Sequence, residues 1–133
     1  MKNYIFVGLG GLVGAVARVS IGHLPNLLGS QANFNLLLAN ALGCFILSFF
    51  TSIVLTIEVR PSLKLAISTG FCGALTTFSS LCKESMRLFT TYSFDSALGY
   101  IALSICCGLG SIYLGEWLAH KLFDPIAEEV PLS

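Results

Sequence analysis

Four long apolar stretches with few internal charges run along the 133-residue chain. They cover residues 4–28, 34–57, 63–89 and 97–123. Each has about 20 residues or more, which is enough to cross a bilayer as a helix. Because backbone polar groups in lipid must pair within the protein, we predict an all-α membrane protein with four transmembrane helices. We expect a single domain over residues 1–133, since no second hydrophobic pattern or tandem repeat is present.

The composition supports a membrane location. The chain is 55% hydrophobic and 11% charged, whereas a soluble domain is about a quarter charged. Its formal net charge is zero, so no basic surface indicates a nucleic-acid partner. The first apolar stretch, residues 4–28, is longer than the apolar region of a signal peptide, which has about 7–15 residues. We therefore expect a multi-pass protein of the cell membrane, with the lipid bilayer as its surroundings.

The cysteines do not form a metal-binding or disulfide pattern. No two of them have the CxxC spacing, and all lie in apolar segments. We expect them to act as small buried hydrophobic residues. They are Cys44, Cys72, Cys82, Cys106 and Cys107.

The charges near the ends of the four predicted helices are almost evenly divided between the two sides of the membrane. One side has Lys2, Arg60, Lys64 and Lys121, and the other has Arg18, Lys83 and Arg87. Four basic residues against three give little orientation bias. A chain that inserts in both orientations can form an antiparallel dimer. Its two-fold axis would lie in the membrane plane, as the axis that relates the inverted repeats of many transporters does. Small residues such as Gly10 and Gly14 also favour close helix contact and support dimerisation.

The third stretch contains an unusual polar segment, GFCGALTTFSS, at residues 70–80. Glycine destabilises a helix by about 1 kcal/mol relative to alanine, and hydroxyls compete for backbone hydrogen bonds. One hypothesis is a break between Gly73 and Thr77 that leaves carbonyls free to bind a small cation. The other is a continuous helix whose hydroxyls bond back to the preceding turn. These residue types alone leave both hypotheses open.

Other polar or aromatic residues lie within the apolar stretches, Arg18 near the end of the first, and each has two interpretations. Asn40 either bonds across helices or offers its amide NH2 group to an anion. Arg18 either extends to the interface or draws anions toward a pore mouth. Tyr100 and Ser104 either form a track of hydroxyls along one helix face or serve as an interfacial tyrosine and a back-bonded serine. Phe78 either packs in the core or lipid, or presents its positive ring edge to an anion.

Three motifs together resemble the CrcB/Fluc family of fluoride channels. They are GGLVGAVAR at residues 10–18, NFNLLLANALGCF at 33–45 and GFCGALTTFSS at 70–80, the last being the most specific. The resemblance covers nearly the whole chain. It implies a dual-topology antiparallel dimer with two narrow pores along the subunit interface. It also implies a broken third helix and passive export of fluoride that relieves fluoride toxicity.

The resemblance also implies roles for particular residues. A structural sodium ion would be held by backbone carbonyls of Gly73 and Thr76 from both subunits. The fluoride path would involve Asn40, Phe78, Ser79, Ser80, Leu81, Tyr100, Ser104, Arg18 and Glu84. Within that set, Tyr100 and Ser104 would form the hydroxyl track, and Arg18 would lie near a vestibule.

Leu81 is the main departure from the family pattern, which usually has a second phenylalanine at this position. Leucine offers no positive ring edge to an anion. A homodimer would pair Phe78 with Leu81 in both pores, whereas a paralogous partner with both phenylalanines would restore one complete pair. Both a homodimer and a heterodimer therefore stay open. Ala74, Ser80 and Gly108 are smaller departures.

Three functions remain after these observations. The leading one is a fluoride channel, and the second is a non-conducting or half-active subunit of a heterodimeric channel. The third is a proton-coupled drug exporter, which needs a carboxylate in the membrane. The first two stretches and the middle of the fourth have no aspartate or glutamate. We expect no enzyme activity, because the sequence has no nucleotide-binding loop and no catalytic constellation.

Overall fold

A computed structural model describes residues 2–24 and 32–129 of the chain. The described residues form helices and no strand. The elements in order are α1 (Lys2–Gly22), α2 (Phe34–Thr56), α3 (Pro61–Leu65), a π-helical segment (Ala66–Cys72), α4 (Gly73–Leu75), α5 (Phe78–Thr91) and α6 (Phe94–Glu129). Four spans are long and apolar enough to cross a membrane, and α3 to α5 together make up the third. The prediction of a four-helix, multi-pass membrane protein is confirmed.

The ends of the helices differ from the hydropathy pattern by a few residues. The third span starts at Pro61, where a proline fits because the first helical N–H groups are unpaired anyway. The fourth starts at Phe94, and the preceding Ser93 Oγ accepts a hydrogen bond from Ser96 N at 3.2 Å. The fourth span then continues as a helix to Glu129. Beyond the apolar region, backbone groups at the helix end can form hydrogen bonds with water. The predicted end of the first span, residue 28, lies outside the described residues.

Glycines bring α1 against the π-helical segment and α6 against α2. A side-chain carbon added to Gly10 or Gly14 would overlap the backbone of Ala66 or Phe71. One added to Gly115 would lie 2.7 Å from the Phe45 carbonyl oxygen. The α1 glycines were expected to support dimerisation, but the structure uses Gly10 and Gly14 for packing inside one chain. Their spacing indicates a close helix contact without identifying the partner helix.

The interior of the single chain is small. Its main buried cluster is formed by Leu88, Ala97 and Tyr100, on which Leu37 and Leu81 also pack. Most other large apolar side chains face outward, as expected of helices that contact lipid or another subunit.

The cysteines divide between the interior and the outer faces. Cys72 is buried, Cys44 and Cys107 are half-buried, and Cys82 and Cys106 are exposed in the single chain. The expectation of buried cysteines therefore holds fully only for Cys72. The reason is that apolar thiols can also lie on outward faces that meet lipid.

Candidate functional site

The third span is interrupted near its centre. Thr76 (φ −82°, ψ 150°) and Thr77 (φ −152°, ψ 116°) are extended between α4 and α5. This confirms the broken helix in GFCGALTTFSS, while the binding of a cation by its carbonyls stays a prediction. The turns before the break are π-helical, over Ala66–Cys72, which sequence reasoning missed. Such segments are rare and frequently occur at functional sites.

Asn40, on α2, holds the break in place. Its Oδ1 accepts a hydrogen bond from Thr77 N at 2.8 Å, and its Nδ2 donates to Thr77 O at 3.4 Å. In a continuous helix the Thr77 N–H group would donate to the carbonyl of Gly73, four residues earlier. Asn40 therefore replaces a helical hydrogen bond with one between helices. Of its two interpretations, the structure shows the bond across helices.

Thr77 is the N-cap residue of α5, and this capping role was not predicted from the sequence. Its Oγ1 accepts a hydrogen bond from Ser80 N at 3.3 Å, which is the N-cap geometry. The hydroxyls of Ser79 and Ser80 lie 3.0 and 3.3 Å from the same oxygen. A threonine directly before an amphipathic run is a cap signal that the sequence does contain. The two serine hydroxyls thus contact the cap.

Both the hydroxyl and the methyl group of the Thr76 side chain make contacts. Its Oγ1 donates to the carbonyl of Cys72 at 3.0 Å, and its methyl group packs against Gly43 on α2. A side-chain carbon at Gly43 would overlap that methyl group. The glycine three residues after Asn40 is therefore the place where α2 accommodates the break.

An open groove of about 400 Å³ lies beside the break. It is bounded by α2, the interrupted third span and α6, and its lining is mostly apolar with isolated polar groups. Phe78 lies at the edge of this groove and is 78% exposed in the single chain. The groove brings together six of the predicted site residues: Asn40, Gly73, Thr76, Phe78, Leu81 and Ser104.

The sequence matches the family model described as CrcB-like protein, Camphor Resistance (CrcB), over residues 5–116. The chain belongs to the CrcB family. Its relatives include the Fluoride-specific ion channel FluC of Shewanella woodyi, which is 37% identical over 122 residues, covering 91% of this chain and 98% of the relative. The protein of the same name from Desulfotalea psychrophila is 33% identical over 121 residues, covering 91% and 94%. That from Chlorobium phaeobacteroides is 36% identical over 116 residues, covering 86% and 91%.

The resemblance drawn from the three motifs is thus confirmed, and the match to the CrcB model includes every groove residue. Five other predicted site residues lie outside the groove lining within the described part of the chain: Arg18, Ser79, Ser80, Glu84 and Tyr100. Arg18 is half-buried near the end of α1. The roles that the CrcB resemblance gives to these five residues and to the six groove residues stay predictions.

Tyr100 and Ser104, the predicted track, have different surroundings in this CrcB chain. Ser104 lines the groove, and its Oγ donates to the carbonyl of Tyr100 at 2.8 Å. Tyr100 is only 4% exposed, and its hydroxyl donates to the carbonyl of Asn33 at 3.4 Å. The single chain therefore presents one of the two hydroxyls to the groove.

Glu84 lies in the interior beside the start of α2. It is 6% exposed, and its Oε1 accepts a hydrogen bond from Asn33 N at 2.8 Å. Arg87 Nε donates to Oε2 at 3.0 Å. The carboxylate is therefore engaged by groups within its own chain.

Proposed function

We propose that the chain is a fluoride-selective channel of the cell membrane that exports fluoride passively. Relatives that match nearly the whole chain carry the name Fluoride-specific ion channel. In acidic surroundings HF enters a cell and dissociates, which leaves fluoride trapped inside. A path for the anion lets this fluoride leave down its gradient and relieves its toxicity. Such a path requires no catalytic residue, and the chain is a channel protein rather than an enzyme.

The observation that carries this proposal is the groove in which Asn40 meets the break beside Phe78. An amide nitrogen has two N–H donors, and the bond to Thr77 uses one of them. The edge of the Phe78 ring carries partial positive charge, and Ser104 adds a hydroxyl. Several weak contacts of this kind hold an anion without trapping it.

The groove is incomplete in one chain, and we propose that a second subunit completes it. The groove is open, and the Phe78 ring is largely exposed at its edge. A further apolar groove between α5 and α6 continues from the same Phe78 and Leu81. An antiparallel, dual-topology dimer would cover both, in keeping with the weak charge bias of the loops.

The break also provides oxygen atoms for a structural sodium ion. The N–H group that would bond to the Gly73 carbonyl in a helix is taken by Asn40. A side-chain carbon at Gly73 would meet no atom within 4 Å, so this backbone lies beside open space. Backbone carbonyls released from a helix are suited to a small hard cation. In the proposed dimer, the carbonyls of Gly73 and Thr76 from both subunits would hold it.

Leu81 supports a second arrangement, a heterodimer with a paralogous subunit. It lines the groove next to Phe78, where it offers methyl groups and no ring edge. In this arrangement the chain is a half-active or non-conducting subunit, and the partner supplies the missing phenylalanine.

The test is fluoride efflux from liposomes that contain only this purified chain, read with a fluoride electrode. Chloride efflux is the selectivity control, and Phe78→Ile and Asn40→Asp are the comparison variants. Rapid fluoride efflux that both variants lose supports a homodimeric channel. A second preparation contains this chain co-purified with a paralogous subunit, and fluoride efflux that appears only there supports the heterodimer. No fluoride efflux from folded protein in either preparation would overturn the proposal.

A further inference from the structure

The start of α2 has no side-chain cap of its own, and its backbone is bonded by side chains of other helices. Asn33 occupies the N-cap position (φ −82°, ψ 86°), and its side chain makes no capping hydrogen bond. Its buried Oδ1 has no hydrogen-bond partner among the described residues. A helix start without a cap of its own needs other partners for its unpaired N–H groups.

The backbone of Asn33 is bonded on both sides. Its N–H group donates to Glu84 Oε1 on α5 at 2.8 Å. Its carbonyl accepts a hydrogen bond from the Tyr100 hydroxyl on α6 at 3.4 Å. These partners are 51 and 67 residues away in sequence, so the two contacts tie the start of α2 to both later helices.

Glu84 is suited to act as this partner. It is 6% exposed, and a buried carboxylate requires hydrogen bonds and a counter-charge. Arg87 supplies both, through Nε to Oε2 at 3.0 Å and through Nη2 to Oε1. The carboxylate also lies at the N-terminal end of α2, where the helix dipole favours negative charge.

The spacing of these contacts links them to the break. Asn33 bonds to Glu84, and Asn40 bonds to Thr77. The two contacts are seven residues apart on α2 (40 − 33) and seven apart on α5 (84 − 77). Seven residues are about two helical turns and return to nearly the same face. The two helices are therefore fastened at two points, one of which is the break.

We infer that Glu84 and Tyr100 clamp the backbone of Asn33 and so fix the register of α2 against α5. The clamp keeps Asn40 opposite Thr77 two turns deeper in the membrane. Glu84 and Tyr100 are then positioning residues for the groove. The clamp itself rests on the contacts within the chain, and its effect on fluoride flux rests on the proposed function.

The experiment combines hydrogen–deuterium exchange of the amides in residues 32–37 with fluoride efflux from liposomes. The variants are Glu84→Ala, Glu84→Gln and Tyr100→Phe. Tyr113→Phe is the matched control, since Tyr113 lies on the same helix as Tyr100 and is 69% exposed. Glu116→Ala is the control for loss of a carboxylate, because that side chain is 58% exposed.

We expect the Asn33 amide to exchange at least about tenfold faster in Glu84→Ala, as for loss of a hydrogen bond to a charged group. In Tyr100→Phe the increase should be roughly threefold, because that hydrogen bond is neutral and long. Glu84→Gln keeps an oxygen acceptor and should restore most of the protection. Fluoride efflux should fall in the same order, and both controls should match the wild type.

Unchanged exchange in Glu84→Ala and Tyr100→Phe would overturn the clamp, even if their efflux fell, since the residues would then act on the ion directly. Faster exchange with unchanged efflux would overturn the positioning role. If Glu84→Ala does not fold, Tyr100→Phe decides the question: faster Asn33 exchange supports the clamp, and unchanged exchange overturns it. If the wild type conducts no fluoride, the proposed function fails, while the exchange measurement still tests the clamp.

Discussion

The third and fourth spans both carry hydroxyl groups at membrane depth, but only the third is interrupted. In α6, Ser104 Oγ donates to the Tyr100 carbonyl one turn back, and the helix continues from Phe94 to Glu129. In the third span, the N–H group of Thr77 leaves the helical pattern and donates to Asn40 Oδ1. The interrupted span begins a new helix one residue after Thr77.

The neighbouring helix α2 explains this difference. Toward the third span it presents Asn40, whose oxygen competes for a backbone N–H group. Toward α6 it presents Ser48, whose Oγ donates to the Ile112 carbonyl at 2.8 Å. A carbonyl has two lone pairs and can accept that bond without releasing its helical donor. In this chain the Ser104 hydroxyl leaves α6 intact, whereas the interruption of the third span lies where a backbone N–H group bonds to an acceptor on another helix.

The largest effect should come from filling the contact that supports the π-helical side of the interrupted span. Gly14→Val places a side chain where the backbone of Phe71 lies. Overpacking against backbone should lower the free energy of unfolding by about 3 kcal/mol or more. Gly8→Val is the matched control on α1, because a side-chain carbon there meets nothing within 4 Å. Unfolding by SDS titration in mixed micelles measures both, and equal stability of the two variants would contradict the packing.

A smaller effect should come from separating α2 from the break without touching Asn40. Gly43→Ala should cost about 2 kcal/mol, because the new methyl group overlaps the Thr76 methyl group. Thr76→Ser removes that methyl group, so the double variant should recover much of the loss. The same SDS titration of the wild type, the two single variants and the double variant gives the coupling free energy between Gly43→Ala and Thr76→Ser. A double variant that is simply the sum of the two losses would show that this contact is not the cause.

The smallest effect should come from removing one hydroxyl from the interrupted third span and one from the uninterrupted fourth span. Thr77→Ala removes the cap of α5 and should cost about 1 kcal/mol of unfolding free energy. Ser104→Ala removes a bond to a carbonyl one turn back and should cost only about 0.5 kcal/mol or less, because the helix retains its backbone pattern. Equal losses in the SDS titration would mean that the two hydroxyls have the same structural role.

The spans themselves were predictable from sequence, because lipid requires long apolar runs with internally paired backbone. The break was only half predictable. Glycines and hydroxyls weaken a helix locally, whereas the decisive partner, Asn40, lies 37 residues away. Neither the π-helical segment nor the capping role of Thr77 was anticipated, although Thr77 occupies a recognisable cap position.

Family resemblance placed Glu84 and Tyr100 on the ion path, and the single chain shows them bonded to Asn33. These contacts join residues far apart in sequence, so no local pattern indicates them. The glycine spacing of α1 likewise predicted a close helix contact, but the partner proved to be the third span of the same chain. Local patterns therefore identified the elements and the polar positions, and tertiary contacts decided what each polar group does.

The most direct test of the account is fluoride efflux from liposomes containing Asn40→Leu beside wild-type protein. Leucine has a similar size but can neither accept from Thr77 N–H nor offer a donor to an anion. Ser48→Ala is the control, since it removes the polar contact of α2 with the uninterrupted span instead. The account predicts rapid fluoride efflux for the wild type and Ser48→Ala, and loss of about tenfold or more for folded Asn40→Leu, as for removal of a hydrogen bond that leaves a buried group unpaired. Wild-type efflux from folded Asn40→Leu would contradict the claim that Asn40 holds the break and contributes a donor to the anion path.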